Sequence, residues 1–258
     1  MNKNAIRFFI FLILFISLKT GLYAESDQEL LARVDSLVSY MDTDFSAEYT
    51  IVQERPGQRL STTVAGVFRR DSNETYVIVI MQPQINRGQG YLKQDNILWF
   101  YDPESRNFNT TTRADLFQNT NARNSDFTRS TLYQDYRVIA GEDAVLGRFE
   151  CRLLTLEAVT RDVAYPRMKV WISKDGLLRK TEDYSLSGQL LRTSAIPDYY
   201  NIYGRFVPRQ ILFVDELRVA NINGVFRNER TQVSITRPSF NMVADSVFSK
   251  TFLENVNQ

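Results

Sequence analysis

The chain has 258 residues, 43% of them apolar and 24% charged, with 17 Phe and 13 Tyr, the make-up of a folded globular protein rather than a disordered, collagenous or multi-span one. It has no histidine, which removes Ser-His-Asp and Cys-His catalysis, HExxH metalloprotease chemistry and nearly every zinc or haem site, and its single cysteine, Cys151, can form neither an intramolecular disulfide nor a thiolate cage. Lys and Arg number 31 against 30 Asp and Glu with no basic block, which argues against a nucleic-acid partner.

Residues 1–24 read as a secretory signal peptide. Lys3 and Arg7 make a positive start, Phe8 to Leu18 is an apolar run broken only by Ser17, and Ala24 offers a cut before Glu25. Eleven residues of helix span roughly 16 Å, about half a bilayer core, so an uncleaved anchor is the poorer alternative. Lys3, Arg7 and Lys19 leave with the leader, and the mature balance turns slightly acidic. Residues 25–258 then form one exported domain, expected to be monomeric.

That domain opens with an amphipathic helix. Ser26 or Asp27 can cap it, and Leu30, Leu31, Val34, Leu37, Val38 and Met41 recur at helical spacing. Core packing explains the stripe, and a lid over an apolar cavity requires the same one. From Phe45 onward strands follow one another through turn signals such as Pro56-Gly57, Lys174-Asp175-Gly176 and Asn223-Gly224, with no helices between. Short connections predict antiparallel pairing, because parallel pairing needs long crossovers.

Phe149, Cys151 and Leu153 alternate with Glu150 and Arg152. Met168, Val170 and Ile172, and later Val233 and Ile235, alternate with polar residues in the same way. Thr75–Gln82 and Asn96–Tyr101 are apolar on both faces. Either they are central strands covered on each side, or one face lines a cavity. A curved sheet of a dozen strands leaves room inside for a ligand. The segment 107–130, rich in Asn, Thr and Arg, is long enough to be functional or mobile. A short helix is expected through Leu132 and Tyr133, and another over Asp245–Leu253.

Paired carboxylates for an enzyme would be Asp102 with Glu104, or Glu182 with Asp183. Neighbours on a strand point to opposite faces, and solvated turns account for all four. Cys151 lacks a histidine to activate it and reads as a small core residue. The chemistry points to a binding protein without cofactor or metal.

Several motifs carry a family likeness. GQGYLKQDNILWFYDP (Gly88–Pro103), NSDFT (Asn124–Thr128), the run from Tyr165 to Thr193, IYGRFVPRQILFVDE (Ile202–Glu216) and DSVFSKTFLE (Asp245–Glu254) occur in this order. Together they resemble the LolA-like outer-membrane lipoprotein-sorting proteins. Asn124 stands where the family more often has Gly, and no cysteine follows the leader, so the chain is similar to the soluble carrier rather than the lipid-anchored acceptor.

The resemblance implies an α+β fold that is mainly β: an open, strongly curved antiparallel half barrel under a helical lid. It implies a periplasmic carrier that shields acyl chains of lipoproteins or lipids on the way to the outer membrane. An inner-membrane exporter and an outer-membrane acceptor would be its partners. A lipid-sensing regulatory module on the same scaffold is the alternative. On this reading the acyl cavity is lined by Phe68, Tyr76, Ile78, Ile80, Leu98, Phe100, Phe149, Leu153, Met168, Val170, Ile172, Val233 and Ile235, and the helix from Leu30 to Met41 is the lid. Arg70, of the pair Arg69-Arg70, is the expected lid latch, and an ordinary hairpin arginine is the plain alternative. Trp99 and Tyr101 are assigned to the other, partly wet face.

Overall fold

The computed structural model describes residues 25–256, so the expected signal peptide lies outside the described residues. Helix α1 (Asp27–Leu37) leads into strands β1 (Phe45–Glu54), β2 (Ser61–Arg70), β3 (Thr75–Gln82), β4 (Gly90–Gln94), β5 (Ile97–Asp102) and β6 (Asn107–Thr111). A polar segment, residues 112–131, reaches the one-turn helix α2 (Leu132–Asp135). Strands β7 (Tyr136–Leu146), β8 (Phe149–Ala158), β9 (Arg167–Ser173), β10 (Leu178–Tyr184) and β11 (Leu190–Ala195) follow, then the small hairpin β12 (Tyr199–Ile202) and β13 (Arg205–Pro208). The long strands β14 (Gln210–Ile222) and β15 (Val225–Ser239) precede a 3-10 turn (Asp245–Phe248) and helix α3 (Lys250–Asn255).

All pairings are antiparallel, and thirteen strands form one curved sheet in the order β6-β5-β4-β3-β2-β1-β15-β14-β11-β10-β9-β8-β7. Two meanders therefore meet at the β1–β15 seam, leaving β6 and β7 as the two edges. These edges are consecutive in the chain, so segment 112–131 must travel the width of the sheet to join them. It does so over the face that α1 also covers, here called inner; α3 covers the other.

Alternation assigns the side chains. Tyr76, Ile78 and Ile80 join the inner cluster, while Val77 and Val79 join Leu92, Tyr101, Phe248 and Leu253 outside. This explains why β3 is apolar on both faces: each is covered. Leu98 and Phe100 face inward and Trp99 outward, with Lys250 3.5 Å above the Trp99 ring. Tyr101, assigned to a partly wet face, is buried beneath the C-terminal segment instead.

Three further expectations are corrected by this parity. Phe68 is on the outer face, edge-on to Phe252 at 6.3 Å, because it alternates with the inward Val67 and Arg69. On β8 the inner residues are Leu154 and Leu156, which pack with α1; Leu153 pairs across from Trp171 on the opposite face. Phe149 lies under the Arg179 guanidinium at 4.2 Å, away from the cavity described below.

The capping at α1 is complete. Ser26 Oγ accepts the Glu29 amide at 3.2 Å, and the Glu29 carboxylate accepts the Ser26 amide at 2.8 Å. Leu30, Leu31 and Val34 are buried. The helix stops at Leu37, with Val38 as its C-cap, so Met41 does not extend the stripe and is 56% exposed. The cause is Tyr40: its amide donates to Asp71 at 2.9 Å and its ring meets Phe45 at 5.1 Å, which turns the chain off the helical path.

Gly90 shows how tightly α3 is seated. A Cβ there would lie 2.5 Å from Leu253 Cδ2 and 2.9 Å from the Ile78 carbonyl oxygen. Gly90→Ala is expected to destabilise the fold by about 1–3 kcal/mol through overpacking, seen as a lower melting temperature; an unchanged one contradicts the seating.

Candidate functional site

Beneath α1 and α2 lies a cavity of about 240 Å³. Its floor is the inner face of β9 to β11, β14 and β15, where Met168, Ile196, Ile211, Phe213 and Ile235 present apolar surface, and Val34 and Val38 roof it. Of the residues expected to line an acyl cavity, Met168 and Ile235 line this one, as do Val34 and Val38 of the expected lid.

The inner face over β1 to β5 is occupied. Phe117, Ala122 and Phe127 of segment 112–131 are buried against Ile78, Ile80, Tyr91 and Leu98. Rings run in contact from Phe100 through Tyr91 (5.2 Å), Phe117 (4.9 Å) and Phe127 (4.3 Å) to Tyr49 (5.8 Å). Tyr76, Ile78, Ile80, Leu98 and Phe100 thus share the inner face but lie under this plug, and Val233 is buried in the same cluster. Val170 and Ile172 are covered by α1. Filled this way, the inner face over β1 to β5 is closed to a ligand.

The cover is one connected piece. Asp35 on α1 accepts from Ser130 Oγ (2.5 Å) and from the amides of Leu132 (3.1 Å) and Tyr133 (2.8 Å), the start of α2. Burial raises the Asp35 carboxyl above its usual range despite these donors. At the other end of α1, Arg152 donates to Asp27 at 2.8 and 2.9 Å and holds that carboxyl low. Gln28 pairs with edge strand β7 like a short strand, donating to the Tyr136 carbonyl and accepting the Val138 amide.

Two arginines tie the cover to the sheet. Arg69, inward on β2, donates to Asp71 at 3.0 and 2.6 Å and reaches the Val38 carbonyl at the end of α1 at 3.4 Å. Arg70, the expected latch, points the other way. It binds Asp44 (2.8 and 2.9 Å), Asp245 (2.6 Å) and the Val243 carbonyl (2.8 Å), tethering the C-terminal segment. Adjacent strand residues face opposite sides, so only one of the pair can meet α1.

The second tie is Arg192 on β11, buried between Asp183 (2.8 Å) and Asp126 (2.6 and 3.1 Å) of the plug. Its guanidinium also lies over Tyr165 and Phe213. Burial alone would lower Arg192, yet the two carboxylates raise it well above its ordinary value; burial pushes Asp183 up. Neither carboxylate pair weighed for an enzyme converges, and Asp183, read as a solvated turn acid, is instead fully buried on β10. Asp183 turns inward to Arg192 while Glu182 binds Lys180 and Tyr184, and Asp102 accepts the Glu104 amide within a turn. Among the described residues no group of three or more His, Cys, Asp or Glu is placed to hold a metal ion.

Sequence reasoning weighed Arg69 but chose its neighbour Arg70, and it missed Arg192, Asp126 and Phe117 as parts of the site. A usable signal was that Phe117 and Phe127 are the two aromatics of the polar segment 112–131, and both are buried. The plug's polar groups are incompletely paired: Asn121 Nδ2, Asn124 Oδ1 and Arg129 Nε are buried without a partner, as is Ser194 Oγ at the cavity wall.

No curated protein matches the sequence. A family model described as "Uncharacterized protein" matches residues 72–255, more than half of the chain. Among solved structures, a LolA superfamily protein from Nitrosomonas europaea superposes with a TM-score of 0.73 at 23% identity, over 89% of this chain and 100% of that one. An outer membrane lipoprotein-sorting protein domain from Vibrio parahaemolyticus gives 0.76 at 15% identity, over 88% and 98%. A DUF1329 family protein from Desulfovibrio piger gives 0.74 at 17% identity, over 88% and 97%. The chain therefore belongs to the family whose model matches residues 72–255, and its thirteen-stranded sheet shares the fold of the LolA superfamily and lipoprotein-sorting structures.

Proposed function

We propose that the protein is a periplasmic carrier that shields the acyl chains of lipoproteins, or of lipids, on the inner face of a half barrel during transfer towards the outer membrane. In this reading α1, α2 and segment 112–131 form the lid, an inner-membrane exporter loads the carrier and an outer-membrane acceptor unloads it. The observation that carries the proposal is a cavity with an apolar floor, ringed by Arg69, Arg113, Asp126 and Arg192, beside an inner face that the chain plugs with its own aromatic side chains.

The plug makes loading reversible. Phe117 and Phe127 each gain about 1.5–3 kcal/mol from burial, and each methylene of an entering chain gains about 0.8 kcal/mol. Roughly four to eight methylenes therefore offset the expulsion of both rings. A long acyl chain opens the carrier, a short one does not, and the net affinity is a small difference that an acceptor can overcome. The present cavity is below the roughly 300–1,000 Å³ of ordinary ligand pockets, as a closed, unloaded carrier should be. Arg69 at the Val38 carbonyl and Arg192 at Asp126 hold that closed form.

Two tests follow. Ile211→Arg puts a charge on the half-buried cavity wall and is expected to reduce co-purifying acyl lipid about tenfold or more, with the melting temperature little changed. Lipid extraction and mass spectrometry decide, and equal lipid content contradicts the carrier reading. Asp126→Asn weakens the Arg192 clamp by ~1 kcal/mol, which corresponds to about fivefold in an equilibrium. A palmitoylated fluorescent peptide should then bind about fivefold tighter than to wild type, while an octanoylated one binds neither protein measurably. Unchanged affinity for the long chain removes the clamp from the account.

A further inference from the structure

At one end of the sheet β14 and β15 outrun their neighbours. The last residue of β14 paired with β11 is Asp215, and the last of β15 paired with β1 is Arg230. Beyond them Val219 to Asn228 pair only with each other, closing through Asn223 and Gly224, both at positive φ. A two-stranded ribbon of five residues past Arg230 projects roughly 17 Å. The turn between β1 and β2 stands beside it, with Gly57 against Ile222 Cδ1.

The surface of this projection is unlike that of a solvated hairpin. Phe226 is 73% exposed and Leu60 63%; Val225 and Leu217 are more than half exposed and Val219 nearly so. Register puts Phe226 and Val219 on one face of the ribbon and Val225 on the other, so apolar groups emerge on both sides of the tip. Charge is sorted along it. Residues 217–227 and 55–60 carry Arg55, Arg59, Arg218 and Arg227 and no acid, while Glu54, Asp215, Glu216 and Glu229 lie at the base. Glu229 takes Arg55 and Arg218, and Glu54 takes Arg230.

We propose that the β14–β15 tip, with the β1–β2 turn, seats on an anionic lipid bilayer, Phe226 and Val225 entering the interface while Arg59 and Arg227 meet lipid phosphates. A narrow convex tip with apolar groups on both faces fits a fluid surface, which closes around it, better than a protein groove, which would need one apolar face. Arginines flanking an aromatic tip, with the acids held back, match a negatively charged headgroup layer. The inference does not depend on what the cavity holds.

The test is flotation of the purified mature chain with vesicles of phosphatidylglycerol and phosphatidylethanolamine, or of phosphatidylcholine alone. Wild type is expected to float with the anionic vesicles, less at high salt, and Phe226→Asp to weaken this about tenfold or more. Arg59→Gln with Arg227→Gln should weaken binding to the anionic vesicles only. Phe226→Trp supplies an independent reading: its added fluorescence should be quenched by brominated acyl chains. Failure of wild type to float, equal flotation of Phe226→Asp, no quenching, or binding only when membrane proteins are present in the vesicles overturns the proposal. Loss of acyl loading with flotation intact would strike the carrier reading and leave this one standing.

Discussion

The chain has to pass from one edge of its sheet to the other across the inner face, and the rest of the structure depends on that crossing. β6 and β7 are consecutive strands at opposite edges, so no hairpin can join them. The connection has to be long, and once long it covers the sheet. By carrying Phe117 and Phe127 it also fills the surface that the curvature exposes. An open sheet with a bare apolar inner face would aggregate; one permanently packed could bind nothing. A polar segment anchored by a few aromatic rings sits between these extremes.

The balance is set by groups of different character. Aromatic burial is non-directional, so on the proposed carrier reading a hydrocarbon chain replaces it without needing particular partners. The arginine contacts are directional and decide where the cover rests: Arg69 at the end of α1, and Arg192 between the plug and β10. Removing one partner from a buried ion pair is costly. Asp35 joins α1 to Ser130 and α2 as one piece of the cover.

Much of the fold was legible because strands alternate. The inward run Tyr76, Ile78, Ile80 and the pair Leu98, Phe100 follow from parity once β3 is seen to be covered on both sides. Parity also marks where reading failed. Phe68 and Leu153 are apolar and sit on strands, but their faces are fixed by the inward Arg69 and Leu154, which sequence alone does not rank. Arg69 and Arg70 are indistinguishable as residue types, and register alone separates the latch from the C-terminal tether. Strand β6, reading NFNTT, has Phe108 as its one apolar residue and was invisible as a strand. Met41 continued a helical stripe that ends early because Asp71, thirty-one residues away in sequence, captures the Tyr40 amide.

The central claim is that segment 112–131 and an acyl chain are alternative occupants of one surface. Amide hydrogen exchange across Phe117–Phe127, measured on the mature protein with and without a palmitoylated peptide, tests it most directly. Loading should speed exchange there while β3 and β4 stay protected. Exchange that is unchanged, or slower, in the loaded protein would mean that the plug is a permanent part of the core and that the account is wrong.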